Sequence, residues 1–250
     1  MSVVVHQLRY EQLLFWRTRE AAFFVFAFPI LLLLLLGSVY DGEINGHPAA
    51  SWLLVGMLGY GAANTALAGL AITLVLRREY ALLKRVRATP LPAATYLACL
   101  LGSNLVVFAI QAVAIEAVGI AFFDAELPAR LLSTALGLLA GAAAFTGLGL
   151  AAAALIRSAE GVSPVVNAVV LPMAFLSGSF GDTDRYPEFL QAVADVLPLS
   201  HLIDLLVAVM LDGDAIWSQW RALAVVLAWG AAGFAVALRW FRWAPRQGVT

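Results

Sequence analysis

Residues 21–39 of the 250-residue chain read AAFFVFAFPILLLLLLGSV, without a single charged side chain. A helix needs about 20 apolar residues to cross a hydrocarbon core of about 30 Å, because it rises about 1.5 Å per residue. This stretch is therefore predicted to span a membrane. The whole chain is 62% hydrophobic and 12% charged, whereas soluble domains average about 45–50% and about 25%. A soluble globule and a disordered chain are both excluded, and the bilayer is the expected solvent.

Five further segments are apolar enough to span a bilayer, or nearly so: residues 52–76, 96–123, 131–156, 162–180 and 222–238, the last extendable toward 217. Helices are expected because an isolated strand leaves backbone groups unpaired in lipid, and the ten-residue alternation of a barrel is absent. A seventh stretch, 197–211, is short and contains Pro198, His201 and Asp204. It is predicted to be re-entrant or interfacial. The predicted fold class is thus all-α, a polytopic membrane protein with six transmembrane helices in one domain, residues 1–250.

Basic side chains are concentrated in alternate loops, and an excess of lysine and arginine is typical of cytoplasmic loops. With the N-terminus inside, the cytoplasmic segments hold 12 of the 15 lysines and arginines: Arg9, Arg17, Arg19, Arg77, Arg78, Lys84, Arg85, Arg87, Arg157, Arg239, Arg242 and Arg246. The opposite loops hold most of the acidic residues. Both termini are therefore predicted to be cytoplasmic.

The N-terminal segment, residues 1–20, carries no small-residue cleavage site behind a short apolar core, so the first span is expected to be retained. One side of a helix here would carry both apolar and polar residues: Val5, Leu8, Phe15 and Trp16 with Gln12 and Arg19. Two alternatives stay open, an interfacial helix on the inner leaflet or a plain charged lead-in.

Polar side chains inside the predicted spans are few. The candidates for lining a substrate path are Asn64, Asn104, Gln111, Glu116 and Asn167, and interhelical hydrogen bonds are the alternative use of the amides. Glu116 lies about 10 Å from the outer end of its span. It is either a rim residue or a proton- or ion-coupling carboxylate.

Other motifs offer little chemistry. The serines of residues 176–181 with His201 would suit a membrane enzyme, but Ser and Gly at the end of an apolar run also terminate helices. The single cysteine, Cys99, cannot form an internal disulfide, and no metal-binding motif is present. Gly137 and Gly141 form a G-x-x-x-G that predicts close helix packing, within one chain or between two.

The most informative polar segment is the loop of residues 77–92, RREYALLKRVRATPLP. It is made of helix formers up to Ala88, and Pro90 and Pro92 then break the helix. A short basic helix is predicted at the inner surface. Its apolar residues, Leu82, Leu83 and Val86, require a partner or the lipid interface.

This loop resembles the cytoplasmic segment of type 2 ATP-binding-cassette (ABC) exporter permeases, the group that contains the daunorubicin-type drug exporters and polysaccharide exporters. The resemblance rests on Glu79, Leu83, Arg87, Thr89 and Pro90, while Ala81 stands where glycine is common. Residues 171–178, 186–190 and 197–201 resemble the family's passage from the fifth span into an outer re-entrant helical hairpin, here residues 181–217. The turn at 181–184 is more polar than is usual.

The resemblance implies a permease subunit of an ABC exporter in the plasma or inner membrane, moving a hydrophobic or amphipathic drug, lipid or natural product outward, as in drug efflux and antibiotic resistance. Its partners would be two ABC ATPase subunits, which bind the ATP and Mg, and a second permease, identical or related. The residues implied in coupling are Arg78, Glu79, Leu83, Lys84, Arg85, Arg87, Thr89 and Pro90. With one lysine and no G-x-x-x-x-G-K-[ST], the chain is expected to bind no nucleotide or other cofactor, and no nucleic acid.

Other functions remain as alternatives at this point. A carrier driven by an ion gradient would use Glu116, and a polysaccharide or glycolipid exporter of the same family would share the fold. A membrane enzyme or a structural anchor protein would require turnover or a scaffold role without cargo.

Overall fold

The computed structural model describes residues 3–40, 42–89, 91–183 and 186–243. Within these ranges, six helices are long and apolar enough to cross a membrane. They are span 1 (Arg19–Val39), span 2 (Ala49–Glu79), span 3 (Ala93–Phe123), span 4 (Leu131–Leu155), span 5 (Ala159–Leu176) and span 6 (Ile216–Trp240). The prediction of an all-α protein with six transmembrane helices is confirmed.

Shorter elements connect the spans. The N-terminal helix covers Val3–Arg17, the loop helix covers Leu82–Arg87, and two hairpin helices cover Glu188–Ala194 and Pro198–Met210. Two antiparallel strands that the sequence did not predict, Glu43–Ile44 and His47–Pro48, join spans 1 and 2. The turn between these strands uses Asn45 and Gly46, which both have positive φ angles.

The ends of the spans meet at two opposite edges of the bundle. At the basic edge, the ends of spans 2 and 4 and the start of span 3 lie together, joined through Arg77 and Arg78. At the acidic edge, the loops after spans 1 and 3 and after the hairpin helices share a cavity lined by His47, Glu126 and Leu211. This arrangement matches the predicted separation of basic and acidic loops. Which edge faces the cytoplasm stays a prediction.

Span 2 lies at the centre of the bundle and is buried along most of its length, while spans 1, 5 and 6 face outward over most of theirs. Small residues let the central helices approach closely. A Cβ at Gly230 of span 6 would lie 2.6 Å from the Cα of Ala144 in span 4, and one at Gly233 would lie 2.5 Å from the carbonyl carbon of Gly147. These two spans therefore pack backbone to backbone.

The G-x-x-x-G of span 4 packs within the chain. Gly141 accommodates the side chain of Leu202, and Gly137 accommodates that of Leu206, both from the second hairpin helix. Of the two alternatives left open by the sequence, this face serves contact inside one chain.

The hairpin helices meet at 78°. Leu199, beside their corner, packs on Gly59 of span 2. Gly59 lies ten residues after Ala49, where span 2 begins, so the corner reaches about 15 Å into the bundle from the acidic edge. This depth is what a re-entrant segment requires.

Span 5 ends at Leu176, before residue 180 of its predicted boundary. Gly178 has a φ of +77°, which a helix cannot contain, and the Nε1 of Trp52 donates to the carbonyl of Gly178 at 3.2 Å. The Ser-Gly run is thus a helix terminator fastened to span 2.

Candidate functional site

The predicted basic helix is separated from span 2 by a two-residue turn. Span 2 ends at Glu79, and Ala81 adopts a left-handed conformation with a φ of +57° before the loop helix begins at Leu82. This conformation costs a residue with a Cβ about 1–2 kcal/mol. This turn explains why glycine is common at the position of Ala81: the chain must adopt a left-handed conformation there, and alanine does so under strain.

The loop helix is anchored on one side and open on the other. Leu83 is fully buried against the bundle, whereas Leu82, Lys84 and Arg85 are exposed. Thr89 ends the segment, and its Oγ1 donates to the carbonyl of Val86 at 2.6 Å. Of the other predicted coupling residues, Pro90 and the side chain of Arg87 lie outside the described residues. The exposed side is a basic surface with one apolar residue, suited to a protein partner.

Arg78 turns inward from the last turn of span 2 and is only 1% exposed. Its NH1 donates to the carbonyl of Ala153 and its NH2 to the carbonyl of Ile156, each at 2.7 Å. These carbonyls belong to the end of span 4, where a helix has no backbone partners left and the negative end of its dipole attracts a cation. The Nε donates to Glu79 at 3.0 Å. Arg78 therefore joins span 2 to span 4, and Glu79 pairs with it from the same helix.

Arg77 turns to the opposite side. It forms a two-pronged ion pair with Glu11 of the N-terminal helix, NH1 to Oε1 at 2.9 Å and NH2 to Oε2 at 2.7 Å. Its NH1 also donates to the hydroxyl of Tyr96 in span 3 at 2.6 Å, and Gln7 donates to the Glu11 carboxylate at 2.9 Å. The glutamate side chain is almost fully buried, so this geometry satisfies a charge that burial alone would destabilise.

Gln111 ties three spans together inside the membrane region. Its Oε1 accepts from Thr65 Oγ1 of span 2 at 2.8 Å, and its Nε2 donates to the carbonyl of Val25 in span 1 at 2.7 Å. Val25 stands four residues before Pro29, which lies inside span 1 and has no N–H to give to that carbonyl. The amide therefore replaces the helical hydrogen bond that the proline removes.

Thr65 is positioned by a helical irregularity. Residues Ala63–Gly69 of span 2 form a π-helical turn, and Gly149 of span 4 packs against the backbone of Leu67 within it. Such wide turns leave backbone groups free to reorganise and occur often at functional sites. Asn64 lies in the same turn, half-buried.

The other predicted path residues lie apart from one another. Asn104 lies next to Ser103, where the N-terminal helix docks, and its Nδ2 is buried without a hydrogen-bond partner among the described residues. Asn167 is exposed on span 5 and donates to Ser163 Oγ at 3.4 Å. Glu116 is half-buried and lines a cavity of about 350 Å³ at the acidic edge with His47 and Glu126. A shared path for the five residues stays a prediction.

A second cavity, of about 390 Å³, lies between spans 2, 4, 5 and 6 and the corner of the hairpin. Its lining is almost wholly apolar, including Leu148, Val169, Met173, Pro198 and Trp229. The indole Nε1 of Trp229 already donates a hydrogen bond to the carbonyl of Val196 at 3.1 Å. The cavity can thus accept a hydrocarbon surface but offers little for polar recognition.

Within the described ranges, His201 does not hydrogen-bond the serines of the Ser-Gly run. Ser200 Oγ donates to Ser177 Oγ at 3.0 Å, while the Nε2 of His201 lies 2.9 Å from the carbonyl oxygen of Asp195. These contacts fix the hairpin corner. Among the described residues, no group of three His, Cys, Asp or Glu side chains could hold a metal ion.

Sequence reasoning missed the Glu11–Arg77–Tyr96 cluster. The sequence identifies Arg77 only as a basic loop residue and gives no role to Glu11. A single acidic residue among apolar and basic neighbours is a weak local signal, and nothing local pairs positions 66 residues apart.

Comparison with known proteins agrees with this structure. The chain is 28% identical over 119 residues to a protein of Escherichia coli (strain K12) named inner membrane transport permease YhhJ, and likewise to its Shigella flexneri counterpart. The match covers 48% of this chain but only 31% of each relative. With the six apolar spans, it supports the predicted location, a multi-pass protein of the inner membrane. A profile of the ABC-2 type transporter family matches residues 4–211. The chain belongs to the ABC-2 type transporter family.

Proposed function

We propose that this permease is the membrane half of an ATP-driven exporter of the daunorubicin type, working as a permease dimer with two ABC ATPase subunits that bind ATP and Mg. The observation that carries the proposal is the loop helix. Its Leu83 is buried in the bundle, while Lys84 and Arg85 are exposed at the basic edge. A partner protein can bind this exposed surface without disturbing the core.

The two arginines before the loop helix support a mechanical route from that partner to the spans. Arg78 holds the end of span 4, and Arg77 holds the N-terminal helix and span 3. A push on the loop helix therefore moves four elements together, as a semi-rigid body that switches between two packed states.

The apolar cavity supports a hydrophobic or amphipathic cargo such as a drug, a lipid or a natural product. Its volume of about 390 Å³ lies within the range of small-molecule sites, about 300–1,000 Å³. It lies between the buried span 2, span 4 and the outward-facing spans 5 and 6, so cargo would enter from the inner leaflet or the cytoplasm and leave outward.

The test is transport by the full chain reconstituted in vesicles with the ABC ATPase that co-purifies with it, using daunorubicin as the fluorescent probe. We expect ATP-dependent accumulation of the probe and at least a tenfold loss on Arg85→Glu, because this change reverses a charge at the docking surface. The variant Arg157→Glu is the matched control, since it reverses an exposed charge in another loop of the same edge.

Transport that continues without nucleotide and stops on Glu116→Gln would replace this proposal by a carrier driven by an ion gradient. Equal losses in Arg85→Glu and Arg157→Glu would contradict the assignment of the loop helix.

A further inference from the structure

The N-terminal helix packs polar side chains against the bundle and leaves large apolar side chains exposed. Inward, Glu11 pairs with Arg77, and the Nε2 of Gln12 donates to the carbonyl and the Oγ of Ser103 at 2.8 and 2.9 Å. Six large apolar side chains of the helix are between 45% and 65% exposed: Val3, Val4, Val5, Tyr10, Leu13 and Trp16. A helix in water would bury such side chains.

The height of this helix places it at a membrane interface. Spans 2 and 3 have 31 residues each, about 46 Å, which is about 16 Å more than a hydrocarbon core. The helix contacts span 3 at Cys99 and Ser103, which lie about 9–15 Å along the span from Ala93. The excess length of spans 2 and 3 thus extends below the helix, while span 1 begins just after it, at Arg19.

The outward face is continuous with the lipid-facing surface of span 1. The ring of Trp16 stacks on Phe26 of span 1, with centroids 5.2 Å apart and planes at 28°. Trp and Tyr side chains favour this level of a bilayer, where apolar and polar regions meet. The surface that covers the outward face is therefore the same lipid that covers span 1.

The exposed charges of the N-terminal helix and of the first turn of span 1 are mainly positive. Arg9, Arg17 and Arg19 are all exposed, and Glu20 is the one exposed acid between residues 3 and 20, since Glu11 is buried with Arg77. Each arginine near an anionic leaflet favours binding by about fivefold.

We propose that the N-terminal helix is a binding surface for anionic phospholipid of the inner leaflet. Its apolar side chains enter the acyl region, and Arg9 and Arg17, together with Arg19 at the start of span 1, pair with phosphate headgroups. This inference does not depend on the proposed transport reaction.

The test uses the full chain in nanodiscs, with Cys99→Ala and a fluorophore on Leu13→Cys, and compares quenching by brominated phosphatidylglycerol and brominated phosphatidylcholine. We expect both lipids to quench and phosphatidylglycerol to bind more than tenfold better at this position. The double variant Arg9→Gln with Arg17→Gln is expected to lower that preference by about 25-fold, leaving only the roughly fivefold contribution of Arg19. The matched control, Lys84→Gln with Arg85→Gln, removes the same charge and is expected to leave the preference intact.

Absence of quenching by either lipid would show that the outward face lies outside the membrane and is covered by protein instead, which overturns the proposal. Equal quenching by the two lipids in the unmodified helix would overturn the recognition of anionic headgroups. Neither result depends on ATP or on cargo, so the proposed function is tested separately.

Discussion

Replacing Gln111 by leucine tests how an amide stabilises the bundle inside the membrane region. The substitution keeps the volume of the side chain but leaves the Val25 carbonyl without its donor, and Thr65 without its acceptor. A threonine hydroxyl can turn to a carbonyl of its own helix, whereas a carbonyl that lacks a donor because of Pro29 cannot recover. We therefore expect a loss of about 2 kcal/mol in the free energy of unfolding.

The Gln111→Leu substitution should lower the free energy of unfolding by less in a chain that lacks Pro29. In a Pro29→Ala background, the N–H of residue 29 can bond the Val25 carbonyl, so that Gln111→Leu should cost below about 1 kcal/mol. A Pro172→Ala background, which alters a proline inside span 5, is the matched control and should leave the cost at about 2 kcal/mol.

The assay is reversible unfolding of the purified chain in mixed micelles with increasing sodium dodecyl sulfate, followed by circular dichroism. Equal costs of Gln111→Leu in the wild-type and Pro29→Ala backgrounds would refute the reasoning. The amide would then stabilise the bundle in some way unrelated to the proline.

Three further predictions concern the same free energy of unfolding in the same assay. Ala81→Gly should raise it by about 1 kcal/mol, because glycine adopts the left-handed turn without a Cβ; a decrease would contradict the turn. Arg78→Met should lower it by about 3–5 kcal/mol by stripping the end of span 4 of its buried donors, whereas Arg85→Met, on the exposed side of the loop helix, should change it by less than about 0.5 kcal/mol. Gly230→Leu should lower it by about 2–3 kcal/mol by separating spans 4 and 6, and Ala231→Leu, facing outward on the next position, serves as its comparison.

The spans could be predicted because the signal for them is local. Hydrophobic length decides whether a helix crosses a bilayer, and the predicted segments lie within a few residues of the observed helices. The short length of residues 197–211 and their proline likewise allowed the sequence to distinguish the hairpin helix Pro198–Met210 from the transmembrane spans. The early end of span 5 at Leu176 needed a glycine conformation that composition does not reveal.

The contacts that organise the candidate site could not be predicted, since they join residues far apart in the chain. Gln111 meets Val25 across 86 positions, and Arg78 meets Ile156 across 78. Each side chain donates to a backbone carbonyl of another helix that has no helical N–H partner. In span 1 the missing partner is due to Pro29, and in span 4 it is due to the end of the helix. The sequence predicts which carbonyls lack a helical partner, but the side chain that donates to each of them depends on helix packing.

The N-terminal helix shows the same limit. Its hydrophobic pattern is weak because each side of the helix carries both kinds of residue: Leu8 shares a side with Glu11 and Gln12, and Arg9 is exposed on the same side as Leu13. Which polar residues are buried depends on Arg77 and Ser103, which lie far along the chain.

The central claim is that the loop helix is where a separate ATPase drives this permease. Its most direct test is site-specific cross-linking in intact cells, with a photoreactive group attached to Lys84→Cys in a Cys99→Ala background. The account predicts one cross-linked product that contains an ABC ATPase subunit, together with protection of position 84 from reagents added outside the cell. Labelling of position 84 from outside, without any ATPase product, would contradict it.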